Sequence, residues 1–212
     1  KSAARLSHPN IVTIFDADKN VEEYYIIMEL VEGRSLKELL EEEGKFDQKA
    51  ALLLITQVLL ALAYAHSRGI VHRDIKPANL LWAQKEKLVK ITDFGLARVI
   101  EEGRRTHTQM AGTPYYMAPE QILGGKVDHR ADLYSAGVTL YEFLTGTVPF
   151  TEGDVLYHHV HTPVKPPHEI DESISPELSA IIMRCMVKEP EKRYPNVAGI
   201  LEDLKGVVKS NS

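Results

Sequence analysis

The sequence predicts an α+β fold in which a short antiparallel sheet precedes a mostly helical body. Two β-rich runs stand near the start, Ile11–Phe15 and Tyr24–Met28, separated by the polar turn Asp18-Lys19-Asn20. Two long apolar stretches of helical length follow, about Gln48 to Arg68 and Ala131 to Leu144. Strands grouped ahead of helices, with no internal repeat, point to α+β rather than to alternating βα units.

Each element has a local reason. Lys1 to Leu6 reads as the tail of a helix stopped by Ser7-His8-Pro9-Asn10. After the hairpin, Glu29 to Gly33 forms a connector, and Ser35-Leu36-Lys37-Glu38 is a capping box that starts a helix. The stretch from Gln48 is apolar around most of its circumference, which marks an interior helix, and Gly69 closes it. Asn79–Trp82 and Leu88–Thr92 flank a charged turn and predict a second small hairpin. Val99 to Gly112 is polar and without periodicity, which predicts a mobile loop. Short helices and Pro-rich turns follow Gly146 and Pro149, and a last helix spans Asn196 to Val208.

Composition removes several function classes. The 212 residues suffice for one domain with a real core. A net charge of −5, spread along the chain, offers no basic stripe for nucleic acid. The single cysteine, Cys185, lies in an apolar run, so a buried thiol in a reducing cytoplasm is expected. No signal peptide opens the sequence. The most apolar stretch, Ala50 to Ala65, is interrupted by Thr56 and Gln57 and short for a membrane span, so a core helix is expected. A membrane tether outside this chain is compatible with that reading. His158, His159 and His161 lack a Cys or carboxylate at ligand spacing, so a metal site is not expected there.

The chemistry concentrates in His72-Arg73-Asp74-Ile75-Lys76-Pro77-Ala78-Asn79 and, shortly after, Thr92-Asp93-Phe94-Gly95. Asp74 can accept a hydroxyl proton, and Lys76 can balance charge on a phosphoryl group in transfer. Asn79 and Asp93 supply the hard oxygens that Mg²⁺ prefers beside nucleotide phosphates. At these residues the chain resembles the protein kinase superfamily, in particular bacterial-type Ser/Thr protein kinases. Its catalytic loop matches H-R-D-x-x-x-x-N and is followed by D-F-G and by Ala118-Pro119-Glu120.

The resemblance covers about Leu6 to Leu204 and implies a protein-kinase-like fold, mainly the helical large lobe with a remnant of the small-lobe sheet. Residues 1–31 would be that remnant and the start of the hinge, 32–208 the large lobe, and 209–212 a polar tail or the start of a linker. It implies Asp74, Lys76 and Thr113 as catalytic residues and Asn79 and Asp93 as Mg²⁺ ligands. Glu29, Val31 and Leu81 would contact the ATP base, with Met28 guarding the inner pocket. Arg73 would pair with a phosphate on Thr106 or Thr108, between which the sequence does not choose. His72, Phe94, Glu120, Asp132 and Arg193 would be structural: ring contact, ion pair and backbone anchor. Ser35 and Ala78, where some relatives carry acids, imply no strong demand for basic peptides.

The sequence departs from the family at its start. It carries no Gly-rich loop, no strand lysine and no paired helix glutamate. The expectation is therefore a kinase fragment, with apolar faces around Ile11, Ile14 and Ile26 left partly uncovered and prone to self-association. The expected activity is transfer of the γ-phosphate of Mg·ATP to Ser/Thr hydroxyls of protein substrates in the cytoplasm. The alternative is a non-catalytic pseudokinase or scaffold. A small-molecule phosphotransferase would have little use for Gly112–Glu120.

Overall fold

The computed structural model describes residues 6–19, 24–94 and 114–210. Strands β1, Ile14–Lys19, and β2, Tyr24–Met28, form an antiparallel hairpin. The predicted hairpin is present, but its first strand begins at Ile14 instead of Ile11. The register passes from Ile14↔Met28 to Asp16↔Ile27, so Phe15 is the extra residue of a bulge. Ile11 has a different partner. It bridges Ile91, and Val12 N–H donates to the Ile91 carbonyl at 2.9 Å while Ile91 N–H donates to the Asn10 carbonyl at 2.9 Å.

That stitching corrects the expected exposure of Ile11 alone. Ile11 is buried, and Ile14 and Ile26 are half-buried. Among the described side chains of the hairpin, the uncovered apolar ones are Phe15, at 66% exposure, with Tyr25, Ile27 and Met28 on β2.

Strand β3, Gly33–Ser35, was not anticipated. It joins β4, Leu80–Ala83, and β5, Leu88–Ile91, in an antiparallel sheet of order β3-β4-β5. Gly33 permits the pairing, because a Cβ there would sit 2.1 Å from the Trp82 carbonyl oxygen. The sheet fastens the connector after the hairpin to the strand that leaves the catalytic loop.

Helix α1, Leu36–Glu43, starts as expected: Ser35 Oγ accepts from Glu38 N–H, and the Glu38 carboxylate accepts from Ser35 N–H at 2.7 Å. Helix α2, Gln48–His66, is capped by Asp47, whose side chain accepts from Ala50 N–H. By length and composition α2 could cross a membrane. In the fold it is a core helix, with Ala51, Ile55, Val58, Leu59, Leu62 and Ala65 buried. Each such buried Leu, Ile or Val contributes about 2 kcal/mol of apolar transfer.

Helix α3, Pro119–Ile122, is one turn, and α4, Arg130–Thr145, runs through the middle of the lobe, buried at nearly every position from Ala131 to Leu144. Gly137 lets α4 touch the next layer, since a Cβ there would lie 2.7 Å from Cys185 Cβ. Helices α5, Val155–His161, α6, Pro176–Cys185, and α7, Val197–Ser210, complete the chain. Helix α7 runs two residues past the expected Val208. Cys185 is buried as predicted, and desolvation pushes its thiol up to about 12.

Candidate active site

The loop before β4 carries the site, and its backbone is held in an uncommon shape. Arg73 has φ +71° and Asp93 φ +65°, both in the left-handed region that costs an L residue about 1–2 kcal/mol. Asp132, fully buried in the first turn of α4, supplies the compensation at Arg73. Its Oδ2 accepts from His72 N–H at 2.9 Å and its Oδ1 from Arg73 N–H at 2.7 Å. His66, at the end of α2, meets the same carboxylate at 2.7 Å.

His72 links this loop to the segment carrying Asp93. Asp74 N–H donates to its Nδ1 at 3.2 Å, so Nε2 bears the proton and donates to the Thr92 carbonyl at 2.8 Å. The ring also meets buried Phe94 edge-on at 4.6 Å. Both ring nitrogens are therefore committed to backbone, and His72 has no atom left for proton transfer.

Asp74, Lys76 and Asn79 converge. Lys76 Nζ lies 2.9 Å from Asp74 Oδ1 and 2.7 Å from Oδ2. Asn79, on the 3₁₀ turn Pro77–Asn79, donates both amide hydrogens to Asp74, to its carbonyl at 2.8 Å and to Oδ2 at 2.9 Å. Asn79 Oδ1 is thereby turned away from Asp74 as an acceptor. Thr92 N–H donates to the Asn79 carbonyl at 3.0 Å, which sets Asp93, the next residue, beside this turn. An amide oxygen and a carboxylate are the hard donors a Mg²⁺ ion takes, so the residues present fit such an ion. The Asp74 side chain is about half exposed.

The connector is tied down with equal care. Glu29 N–H donates to the Thr13 carbonyl at 2.8 Å, and its carboxylate pairs with Lys90 of β5 at 2.6 Å. Burial works to raise the Glu29 carboxyl, but hydrogen bonds from Lys90 and Thr13 hold it below the usual range. Among the described residues, no hydrogen bond ends on the Glu29 carbonyl or on the Val31 backbone. Leu81, half-buried in β4, sits opposite Ser35 and Lys90 in the sheet. Met28 ends β2 and is partly exposed.

On the far side of the loop, Glu120 and Arg193 form a bidentate pair at 2.8 Å through each nitrogen. Arg193 also donates to the carbonyls of Val187, Arg130 and Lys188, at 2.7, 3.0 and 2.9 Å. All five guanidinium hydrogens thus have acceptors in a fully buried side chain. Thr106, Thr108 and Thr113 lie outside the described residues, as does the expected mobile loop from Val99 to Gly112.

Several contacts were not foreseen. His66 had no signal beyond its place in the last turn of a helix. Gln121 Oε1 accepts from Ala118 N–H at 3.1 Å and its Nε2 donates to the Arg73 carbonyl at 3.0 Å. Its position three residues after Ala118 is capping-box spacing and would have flagged the first of these bonds. His159 is the buried side chain of α5, with Nδ1 2.8 Å from the Tyr134 hydroxyl. His158 instead turns to Thr162 Oγ1 at 2.8 Å, and His161 lies against the Tyr157 ring. The three imidazoles therefore do not converge.

Comparison with known proteins finds the protein kinase domain family, whose profile matches residues 1–203. A probable serine/threonine-protein kinase of Clostridium acetobutylicum is 42% identical over 212 residues, covering 97% of this chain and 32% of the relative. One of Streptomyces coelicolor is 42% identical over 216 residues, covering 97% and 32%. The serine/threonine-protein kinase PknB of Mycobacterium tuberculosis is 40% identical over 215 residues, covering 96% and 34%. The chain spans about a third of the length of these curated relatives.

Proposed function

This chain belongs to the protein kinase domain family, and on that premise we propose that it carries the phosphoryl-transfer part of a Ser/Thr protein kinase site. The reaction is transfer of the ATP γ-phosphoryl group to a Ser or Thr hydroxyl of a protein substrate. The bond to the ADP oxygen breaks, a bond to the hydroxyl oxygen forms, and the hydroxyl proton passes to Asp74. Lys76 steadies Asp74 and faces the transferring phosphoryl group. Asn79 orients the Asp74 carboxylate through Nδ2 and, with Asp93, would hold Mg²⁺ through oxygen. When bound, the ion would neutralise charge on the phosphates.

The backbone of Glu29 and Val31 offers groups for the adenine edge, and Leu81 an apolar floor. Residues 1–31 serve as the small-lobe and hinge part, and 32–208 as the large lobe. A Gly-rich loop and strand lysine have no counterpart in this sequence, so transfer is assigned to the full-length protein. The same reading has the domain work in the cytoplasm, where Mg·ATP is available. Arg73 would answer a phosphate on Thr106 or Thr108.

One observation carries the reading: Asp74, Lys76 and Asn79 meet within 2.7–2.9 Å in an open loop whose backbone is fixed from behind. The test is labelled phosphate transfer from Mg·ATP by the full-length protein and by its Asp74→Asn and Asp93→Asn variants. Both variants should lose at least about a thousandfold in kcat/KM, with folding retained by circular dichroism. Near-normal transfer by either one overturns the assignment.

A further inference from the structure

The peptide group between Arg73 and Asp74 is gripped at both ends, and one grip comes from an unexpected place. Its N–H donates to His72 Nδ1, inside the loop itself. Its carbonyl accepts from Gln121 Nε2 at 3.0 Å, from a side chain 48 residues later. Gln121 sits on α3, directly after Ala118-Pro119-Glu120, which the Arg193 pair anchors to the lobe. Its Oε1 is fixed by Ala118 N–H, so the amide cannot flip without losing both bonds.

We propose that Gln121 is a positioning residue for Asp74, coupling the Ala118–Glu120 turn to the catalytic loop through the Arg73 carbonyl. This deepens the phosphotransfer reading and rests on it. Asp132 fixes the amides of His72 and Arg73, Asn79 fixes the Asp74 carbonyl, and Gln121 fixes the Arg73 carbonyl. Rotation of that one peptide plane would swing the Asp74 side chain relative to a bound hydroxyl. Misplacement of this kind costs rate while leaving nucleotide binding intact. It also gives the turn a direct line to the chemistry: a shift of Ala118 moves the Gln121 amide and with it the Asp74 peptide.

Two substitutions split the two bonds. Gln121→Glu keeps the acceptor for Ala118 N–H but sets an oxygen against the Arg73 carbonyl. Gln121→Lys keeps a donor for that carbonyl and gives up the acceptor. In the full-length protein, Gln121→Glu should lower kcat at least about tenfold, with KM for Mg·ATP within twofold and Tm unchanged, while Gln121→Lys keeps kcat within about threefold. In parallel, amide hydrogen exchange across Val71–Lys76 should quicken in Gln121→Glu and not in Gln121→Lys. A merely structural helix cap predicts the reverse, with Glu tolerated and Lys impaired, and that outcome overturns the proposal. If the wild-type protein transfers no phosphate, the kinase reading fails, and the exchange comparison decides the positioning by itself.

Discussion

Arg193→Leu should be among the most damaging single substitutions in this chain, and the structure sets its size. The guanidinium is fully buried, and its five hydrogens go to two Glu120 oxygens and three carbonyls. Removing it leaves the nine-tenths-buried Glu120 carboxylate without its cation, a change that costs about 3–5 kcal/mol in comparable buried pairs. The carbonyls of Val187, Arg130 and Lys188 lose their donor as well, at about 1 kcal/mol each where water does not replace it. These terms overlap, and a net loss on the order of 4 kcal/mol is expected, a large part of a typical domain's stability. The assay is urea unfolding followed by circular dichroism at pH 7.5, for Arg193→Leu, Glu120→Leu and the double variant. The double variant should lose clearly less than the sum, because neither charge is then stranded. A loss below about 1 kcal/mol for Arg193→Leu, or strict additivity, would refute the reasoning.

Two further outcomes follow from burial and exposure. His159 is fully buried against Tyr134, and desolvation, helped by the Lys188 charge, lowers its pKa to about 4. Its neutral form is the native one, so its contribution is complete above the unfolded value near 6.5. That contribution is lost as pH falls toward 4, because the unfolded chain takes up a proton that the native ring refuses. The loss should be about 2–3 kcal/mol across that window, and the His159→Phe variant should show a shallower fall by that amount; parallel pH curves would sink the idea. On the hairpin, Phe15, Tyr25, Ile27 and Met28 are exposed apolar side chains on a two-stranded sheet. This chain should therefore self-associate at tens of micromolar, and Phe15→Ser with Ile27→Thr should shift light scattering toward monomer. A wild-type chain monomeric at that concentration contradicts the expectation.

The sequence disclosed the residues that meet in this loop more readily than what holds them. Asp74, Lys76 and Asn79 sit within one short loop, so the residues that meet there could be read in a line. The long helices were legible for a similar reason, since their apolar circumference and caps are local. Strand β3 was not, because a three-residue strand has no period and exists only through pairing with Leu81–Ala83, 46 or more residues away. Ile11 was misjudged for the same cause: its burial depends on Ile91, whose place beside it no local pattern gives.

The supports that sequence missed share a physical character. His66 meets Asp132 across 66 residues, and Gln121 meets Arg73 across 48. Each holds a backbone group or a buried carboxylate, and such partners carry no demand on neighbouring residue types. Yet the left-handed Arg73 would relax without them, because its strain persists only where surrounding contacts over-determine it. The loop from His72 to Asn79 is thus a short motif whose geometry is supplied by α2, α3 and α4 together. It follows that changes far from Asp74 in sequence, at His66 or Gln121, should act on rate through the loop backbone. Changes at surface positions of those same helices, such as Leu53 or Leu60, should not.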